Sequence, residues 1–361
     1  MNALMQPMRM GELELANRIV MAPMTRSRAD SDAVPTAVMV DYYAQRASAG
    51  LIVAEGTAPS ADGMGYCRTP AIYSQQQIDA WREVTAAVHT AGGQIVLQLM
   101  HCGRAASRHN KPESSRTVAP SAVRAEIQLF TDAVGMADTD VPEALSRDDI
   151  RQVIADYRQA ALNAREAGFD GVELHCTSGY LPMQFMSENA NQRTDEYGGS
   201  PDNRVRFAIE VLQAMAEAIG PGRVGVRFCP GNKFNDIADS DPAATFDALL
   251  RGLDGLNLAY LHIMRAHTRK VDAFARARAA FSGPLIVNDG FEPDSAEQMV
   301  AAGLADAVSF GRHFIANPDL VTRIARQLPL AAFDRHTLYS PGPEGYIDYP
   351  AADPQPLEEL S

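Results

Sequence analysis

Short apolar runs alternate with amphipathic stretches along the chain. The runs read RIVMAPM (18–24), LIVAEGT (51–57), GQIVLQLM (93–100), GVELH (171–175), VGVRFCP (224–230), LAYLHIM (258–264), PLIVND (284–289) and ADAVSFG (305–311). Between most of them lie helical patterns such as TAVMVDYYAQRASAG, QQIDAWREVTAAVHTAG, IRQVIADYRQAALNAREAG, NRVRFAIEVLQAMAEAIG, AATFDALLRGL and PDSAEQMVAAG. Several patterns stop at a glycine (Gly50, Gly92, Gly168, Gly220, Gly303), the residue that most easily takes the left-handed cap conformation. Strands that are apolar throughout are buried on both faces, which means a parallel sheet covered by helices. About eight such units predict an α/β fold of the (β/α)8 TIM barrel type rather than an open doubly wound sheet.

One interval breaks the rhythm. About 70 residues separate the third run from the fourth, and a stretch this long without periodicity is a functional lid or is disordered. Its piece EIQLF suggests a small hairpin over one barrel end. The expected organisation is one domain over 1–361, with a lid insertion at about 101–147, between the third strand and third helix, and a C-terminal tail at about 340–361. The acidic, proline-rich segment after Tyr349 is expected to be loosely held.

Composition narrows the function. A net charge of −13 argues against a nucleic-acid partner or an anionic membrane surface. The opening MNALMQPMRMGELELANR lacks the apolar core of a signal peptide, and no apolar run is long enough to span a bilayer. The four cysteines are scattered, with neither zinc or iron–sulfur spacing nor a disulfide framework. A cytoplasmic protein, monomeric or homodimeric, is the simplest expectation.

Barrel active sites lie at the C-terminal strand ends. Those ends carry Thr25, Gln98, His101, His175, Arg227, Asn288, Asp289 and Arg312, and their convergence from separate strands points to a site. The loops after the last two strands, NDGFEPDS and FGRHFIANPDL, fall where this fold usually binds phosphate. Gly290 and Gly311 let backbone N–H groups approach an anion, and Arg312 can add a charged contact; glycines serving only tight turns are the alternative. No Rossmann fingerprint or P-loop occurs. The stretch ELHCTSGY (173–180) ends a strand on a histidine and follows it with a serine and a tyrosine. A carbonyl-binding, proton-donating site would need such groups. A satisfied core histidine beside a packed tyrosine remains the alternative on these residues alone.

Across nearly its whole length the chain resembles the old yellow enzyme family of FMN-dependent ene-reductases. LQLMHCGR, AGFDGVELH, GYLPMQFMSENANQRTDEYGGSPDNRVRF and VSFGRHFIANPDL carry the likeness. The resemblance implies a tight, non-covalent FMN at the barrel mouth, reduced by NADH or NADPH and reoxidised by an electron-poor alkene. It implies that Pro23, Met24, Thr25, Gly56, Gln98 and His175 meet the flavin ring and that Arg227 faces its N1/C2 edge. Gly290, Gly311 and Arg312 then fall at the phosphate, and Asp289 is among the cofactor-binding residues. Tyr66, Met100 and Tyr339 match positions around the substrate, His175 the donor to its carbonyl or nitro oxygen, and Tyr180 the proton donor. Ser178 departs from the family, which has His or Asn as the second oxygen donor. Met100 replaces a frequent Trp, and Thr25 places the chain apart from the thermophilic-like branch with Cys. Two rival readings are a non-redox phosphate-binding barrel enzyme, for which no Schiff-base lysine is evident, and a flavin-binding redox protein of low turnover.

Overall fold

Each of the eight apolar runs forms a strand in the computed structural model, which describes residues 2–266 and 271–352. The strands are β1 (Ile19–Met21), β2 (Leu51–Thr57), β3 (Ile95–Leu99) and β4 (Gly171–His175), then β5 (Val224–Phe228), β6 (Tyr260–Met264), β7 (Leu285–Asn288) and β8 (Ala307–Phe310). All pair in parallel with their sequence neighbours, and β8 returns to β1, closing the barrel. The outer layer holds α1 (Ala37–Ala44), α2 (Gln75–Thr90), α3 (Arg147–Glu166), α4 (Leu181–Met186) and α5 (Pro201–Ile219). It continues with α6 (Pro242–Leu253), α7 (Ala273–Ala280), α8 (Pro293–Ala301), α9 (Arg312–Ala316) and α10 (Leu320–Ala325). Capping boxes at Ser74 with Gln77 and Ser146 with Asp149 fix where α2 and α3 begin, by satisfying otherwise free N–H groups.

Four of the five glycine stops hold: Gly92, Gly168, Gly220 and Gly303 all have positive φ. Gly50 does not. The first helix ends at Ala44, and Gly50 is required for another reason: a Cβ there would lie 2.0 Å from the Asn17 carbonyl oxygen. The apolar pattern did not expose α7 or an N-terminal hairpin, Met8–Met10 paired with Leu13–Leu15. That hairpin packs Met10, Leu13 and Leu15 against Val20, Leu51, Val53, Val96, Tyr260 and Ile286 and so plugs the lower barrel.

The interval between β3 and α3 contains a hairpin, Gln128–Thr131 with Gly135–Asp138, and a short parallel pair, Val118–Ala119 with Glu143–Ala144. Near the C-terminus, Tyr346 is fully buried and stacks on Tyr42 with ring centroids 4.0 Å apart. Residues 353–361 of the tail expected to be loosely held lie outside the described residues. Among the described residues no helix is long and apolar enough to cross a membrane.

Candidate active site at the barrel mouth

Side chains alternate along a strand, so one residue in two points into the barrel. The lower inward positions are apolar or small: Val20, Val53, Val96, Tyr260, Ile286 and Ala307. One step up the character changes to Gln98, Glu173, Arg227, His262, Asn288 and Ser309, all buried. Strand register sets their contacts. Gln98 lies beside Glu173, Arg227 beside His262 and Asn288 beside Ser309. Gln98 Nε2 donates to Glu173 Oε1 at 2.8 Å, and Glu173 Oε2 meets His262 Nδ1 at 2.8 Å. His262 Nε2 lies 2.6 Å from Arg227 Nη1 and 2.7 Å from Ser309 Oγ. Arg227 Nη2 donates to Asn288 Oδ1 at 2.7 Å, and Asn288 Nδ2 donates to the Ser309 carbonyl at 2.8 Å. Gly225 makes room below, since its Cβ would fall 2.3 Å from the Tyr260 ring.

The charges in this layer are ordered. Burial and the Arg227 charge push His262 down to about 4, so its ring is neutral. An arginine donor faces Nε2 and a carboxylate faces Nδ1, which places the ring proton on Nδ1. Burial opposes ionisation of Glu173, but His262, Arg227 and Gln98 outweigh it and hold the carboxyl below its ordinary range. The layer therefore holds one cation and one anion with a neutral imidazole between.

Above it, His175 ends β4. Burial and Arg227 lower its pKa to about 3, so the ring is neutral, and its Nδ1 is buried without a hydrogen-bond partner. The Tyr180 ring lies 4.8 Å from the His175 ring. Tyr180 Oη donates to Tyr66 Oη at 3.4 Å, and burial lifts the Tyr180 phenol well above its ordinary value. Asn235 Nδ2, from the loop after β5, reaches Tyr66 Oη at 3.1 Å and the Ser178 carbonyl at 3.0 Å. Ser178 is half-buried with φ 58°, and Gly179 follows with φ 74°. A Cβ on Gly179 would lie 2.5 Å from the Phe234 carbonyl oxygen, so only a glycine fits that approach. Met100, Cys102, Tyr180 and Tyr66 form one apolar cluster beside Gly56, whose Cβ would strike Met100 Sδ at 2.5 Å. A register shift between Ala54 and Thr57 in β2 accompanies this arrangement. Tyr339 is 60% exposed, near enough to Tyr66 and Tyr180 to influence both.

The remaining expected residues divide by environment. Pro23, Met24 and Thr25 are half-buried just past β1, and Gly311 lies near Met24. Asp289 and Gly290 both have positive φ at the end of β7. Arg312 is exposed and makes no hydrogen bond or ion pair with the described residues. His101 turns into its own loop, where Nδ1 accepts the Gly103 amide at 3.1 Å, and its buried Nε2 has no hydrogen-bond partner. Sequence reasoning missed Glu173, His262, Ser309 and Asn235. For the first three the signal was a polar side chain at an inward position of an apolar strand; Asn235 carried none.

This donor set fits a flavin nucleotide: an unpartnered buried imidazole nitrogen, a fixed guanidinium, a glycine-lined wall and an uncommitted arginine by the phosphate-side loops. Residues 3–331 match the model of the NADH:flavin oxidoreductase / NADH oxidase family. The chain belongs to that family, the old yellow enzymes. It is 41% identical to 12-oxophytodienoate reductase 1 of Oryza sativa subsp. japonica, over 96% of this chain and 92% of that protein. It is 42% identical to a probable flavin mononucleotide-dependent alkene reductase of Leishmania infantum, over 97% of each. Morphinone reductase in complex with tetrahydroNAD superposes with a TM-score of 0.93 at 42% identity, covering 97% of this chain and 98% of that one. The old yellow enzyme homologue from Zymomonas mobilis gives 0.93 at 40% identity, covering 96% and 99%. FMN is accordingly the cofactor and a reduced nicotinamide its reductant.

Proposed function

We propose that this old yellow enzyme reduces activated C=C bonds (α,β-unsaturated carbonyls, maleimides and nitroalkenes), with NADH or NADPH as reductant. The observation that carries the reading is a buried, protonated Tyr180 beside a neutral His175 that has an unpartnered ring nitrogen. Bound FMN supplies the hydride. Pro23, Met24, Thr25, Gly56 and Gln98 would line its ring, Arg227 would face the N1/C2 edge, and Gly290, Gly311 and Arg312 would hold the phosphate, with Asp289 beside them in the cofactor site.

His175 donates a hydrogen bond to the substrate's carbonyl or nitro oxygen and draws electrons from the alkene. Tyr180 then delivers a proton to the α-carbon as general acid. Tyr66, Met100 and Tyr339 shape the substrate space. Ser178 is shorter than the imidazole or carboxamide of relatives and reaches the oxygen through water. Activation therefore rests mainly on one donor, favouring maleimides and nitroalkenes over simple cyclic enones. Nicotinamide and alkene use one open face in turn, giving ping-pong kinetics.

The test is a visible spectrum of the purified protein, before and after anaerobic NADPH and then with a maleimide. The expected result is about one FMN per chain, bleached by NADPH and restored by the alkene. Arg312→Ala should weaken FMN retention by about 10–100-fold, a charged hydrogen bond being worth ~1.5–3 kcal/mol. A colourless protein that ignores added FMN would contradict the reading.

A further inference from the structure

Asn288 alone would aim the Arg227 guanidinium, yet a second chain of contacts runs behind it to a buried carboxylate. Arg227 Nη1 meets His262 Nε2 at 2.6 Å, and His262 Nδ1 meets Glu173 Oε2 at 2.8 Å. Gln98 occupies the other Glu173 oxygen, and Ser309 Oγ lies at the imidazole. Glu173 and His262 are fully buried and Arg227 nearly so. The opposite charges sit one imidazole apart, where water cannot screen them. We infer that Glu173, acting through neutral His262, is a positioning and counter-charge residue that limits how strongly Arg227 stabilises the reduced flavin and thereby sets its reduction potential.

The inference rests on the proposed placement of Arg227 at the flavin's N1/C2 edge. Reduced FMN carries an added negative charge there. An unopposed guanidinium would bind that anion tightly and make it a poor hydride donor. A carboxylate behind the guanidinium offsets part of the field and keeps the flavin reducing. Because His262 is neutral, the resting layer has no net charge, which suits a buried ion pair.

The sign separates this role from a merely structural one. If Glu173 only steadied Arg227, its loss would disorder the cation and lower the potential. If it is the counter-charge, Glu173→Gln frees the Arg227 field and raises the potential. The measurement is spectroelectrochemistry of the FMN-loaded wild type, Glu173→Gln, Arg227→Gln and the double variant. Glu173→Gln should favour reduced over oxidised FMN by about tenfold, a rise of about 30 mV for two electrons. Arg227→Gln should lower the potential, and the double variant should lie about tenfold above it. The double variant leaves no unpaired charge in the barrel, so this second pair decides even where Glu173→Gln does not fold. An unchanged potential in Arg227→Gln would refute the placement of Arg227. A fall in Arg227→Gln combined with no rise on removing Glu173 in either background would refute the counter-charge role alone.

Discussion

Two clusters of buried charge lie on either side of the barrel wall. Outside it, Arg26, Arg28 and Arg46 are each at most 3% exposed, and Glu55 is the carboxylate beside Arg26 and Arg28. Most of their donors end on backbone carbonyls, with side-chain contacts only from Arg26 to the Tyr42 hydroxyl and from Arg46 to Gln45 Oε1. Arg26 reaches the carbonyls of Leu338 and Gly345, and Arg28 those of Thr337, Leu338, Gly342 and Glu344. Arg46 bonds those of Tyr42, Phe314 and Ile315, with its guanidinium 3.8 Å from the Tyr42 ring centre. This clamp fastens the segment that carries Tyr339. Inside the barrel, charge is balanced one to one, contacts run between side chains, and His175 keeps a nitrogen unpartnered. Burial and charge are common to both. In the clamp every guanidinium is hydrogen-bonded and, among its described side chains, only the Tyr346 hydroxyl lacks a partner, whereas at the barrel mouth the unpartnered atom is a ring nitrogen of His175, which can donate to or accept from a ligand.

The largest effect that could break this comparison is in the clamp. Arg46→Met keeps the length but strands several buried carbonyls, each costing ~1–3 kcal/mol. A loss of about 3–6 kcal/mol is expected, lowering the thermal midpoint by roughly 4–8 °C, while turnover per bound flavin stays unchanged. Thermal melts and flavin-normalised rates check this, and a fall in normalised turnover would erase the division.

Glu55 gives a pH signature to the same cluster. Burial lifts it from 4.5 to about 7, so the folded state holds more protons than the unfolded chain between those values. Stability then falls as pH rises through that window, by about 3 kcal/mol in full. Melts from pH 4 to pH 8 should show this decline in the wild type and a flatter profile in Glu55→Gln. Equal slopes would remove Glu55 as their cause.

Asn235→Ala sharpens the other side. It removes the bonds to Tyr66 and to the Ser178 carbonyl, together worth ~1–3 kcal/mol. Alkene turnover should drop roughly tenfold with little change in flavin reduction. Equal loss in both half-reactions would make Asn235 a general structural support.

Ser178→Asn should have the smallest effect, raising the enone-to-maleimide ratio of kcat/KM several-fold. Its positive φ favours the change, since Asn tolerates the left-handed region well. An unchanged or lower ratio in folded, FMN-replete protein would mean Ser178 is not a weakened donor.

The barrel was legible because strands buried on both faces read as unbroken apolar runs. The rims were legible because polar residues at strand ends stand out against those runs. Glu173 and His262 were hidden for the opposite reason: each sits inside a run, in GVELH and LAYLHIM, where one polar letter looks like noise until the inward face is known. Asn235 lies in an aperiodic loop, and its role follows from a left-handed backbone that no pattern encodes. Gly50 looked like a helix stop and is instead the point where one backbone nearly touches another.

The central claim is that the open valences at the barrel mouth do the chemistry, with hydride and proton arriving from different groups. Stopped-flow measurement of the two half-reactions in Tyr180→Phe tests it most directly. Flavin reduction by NADPH should be nearly unchanged, while reoxidation by the alkene slows by roughly 10²–10⁴-fold. Parallel loss in both steps would make Tyr180 a packing residue and contradict the account.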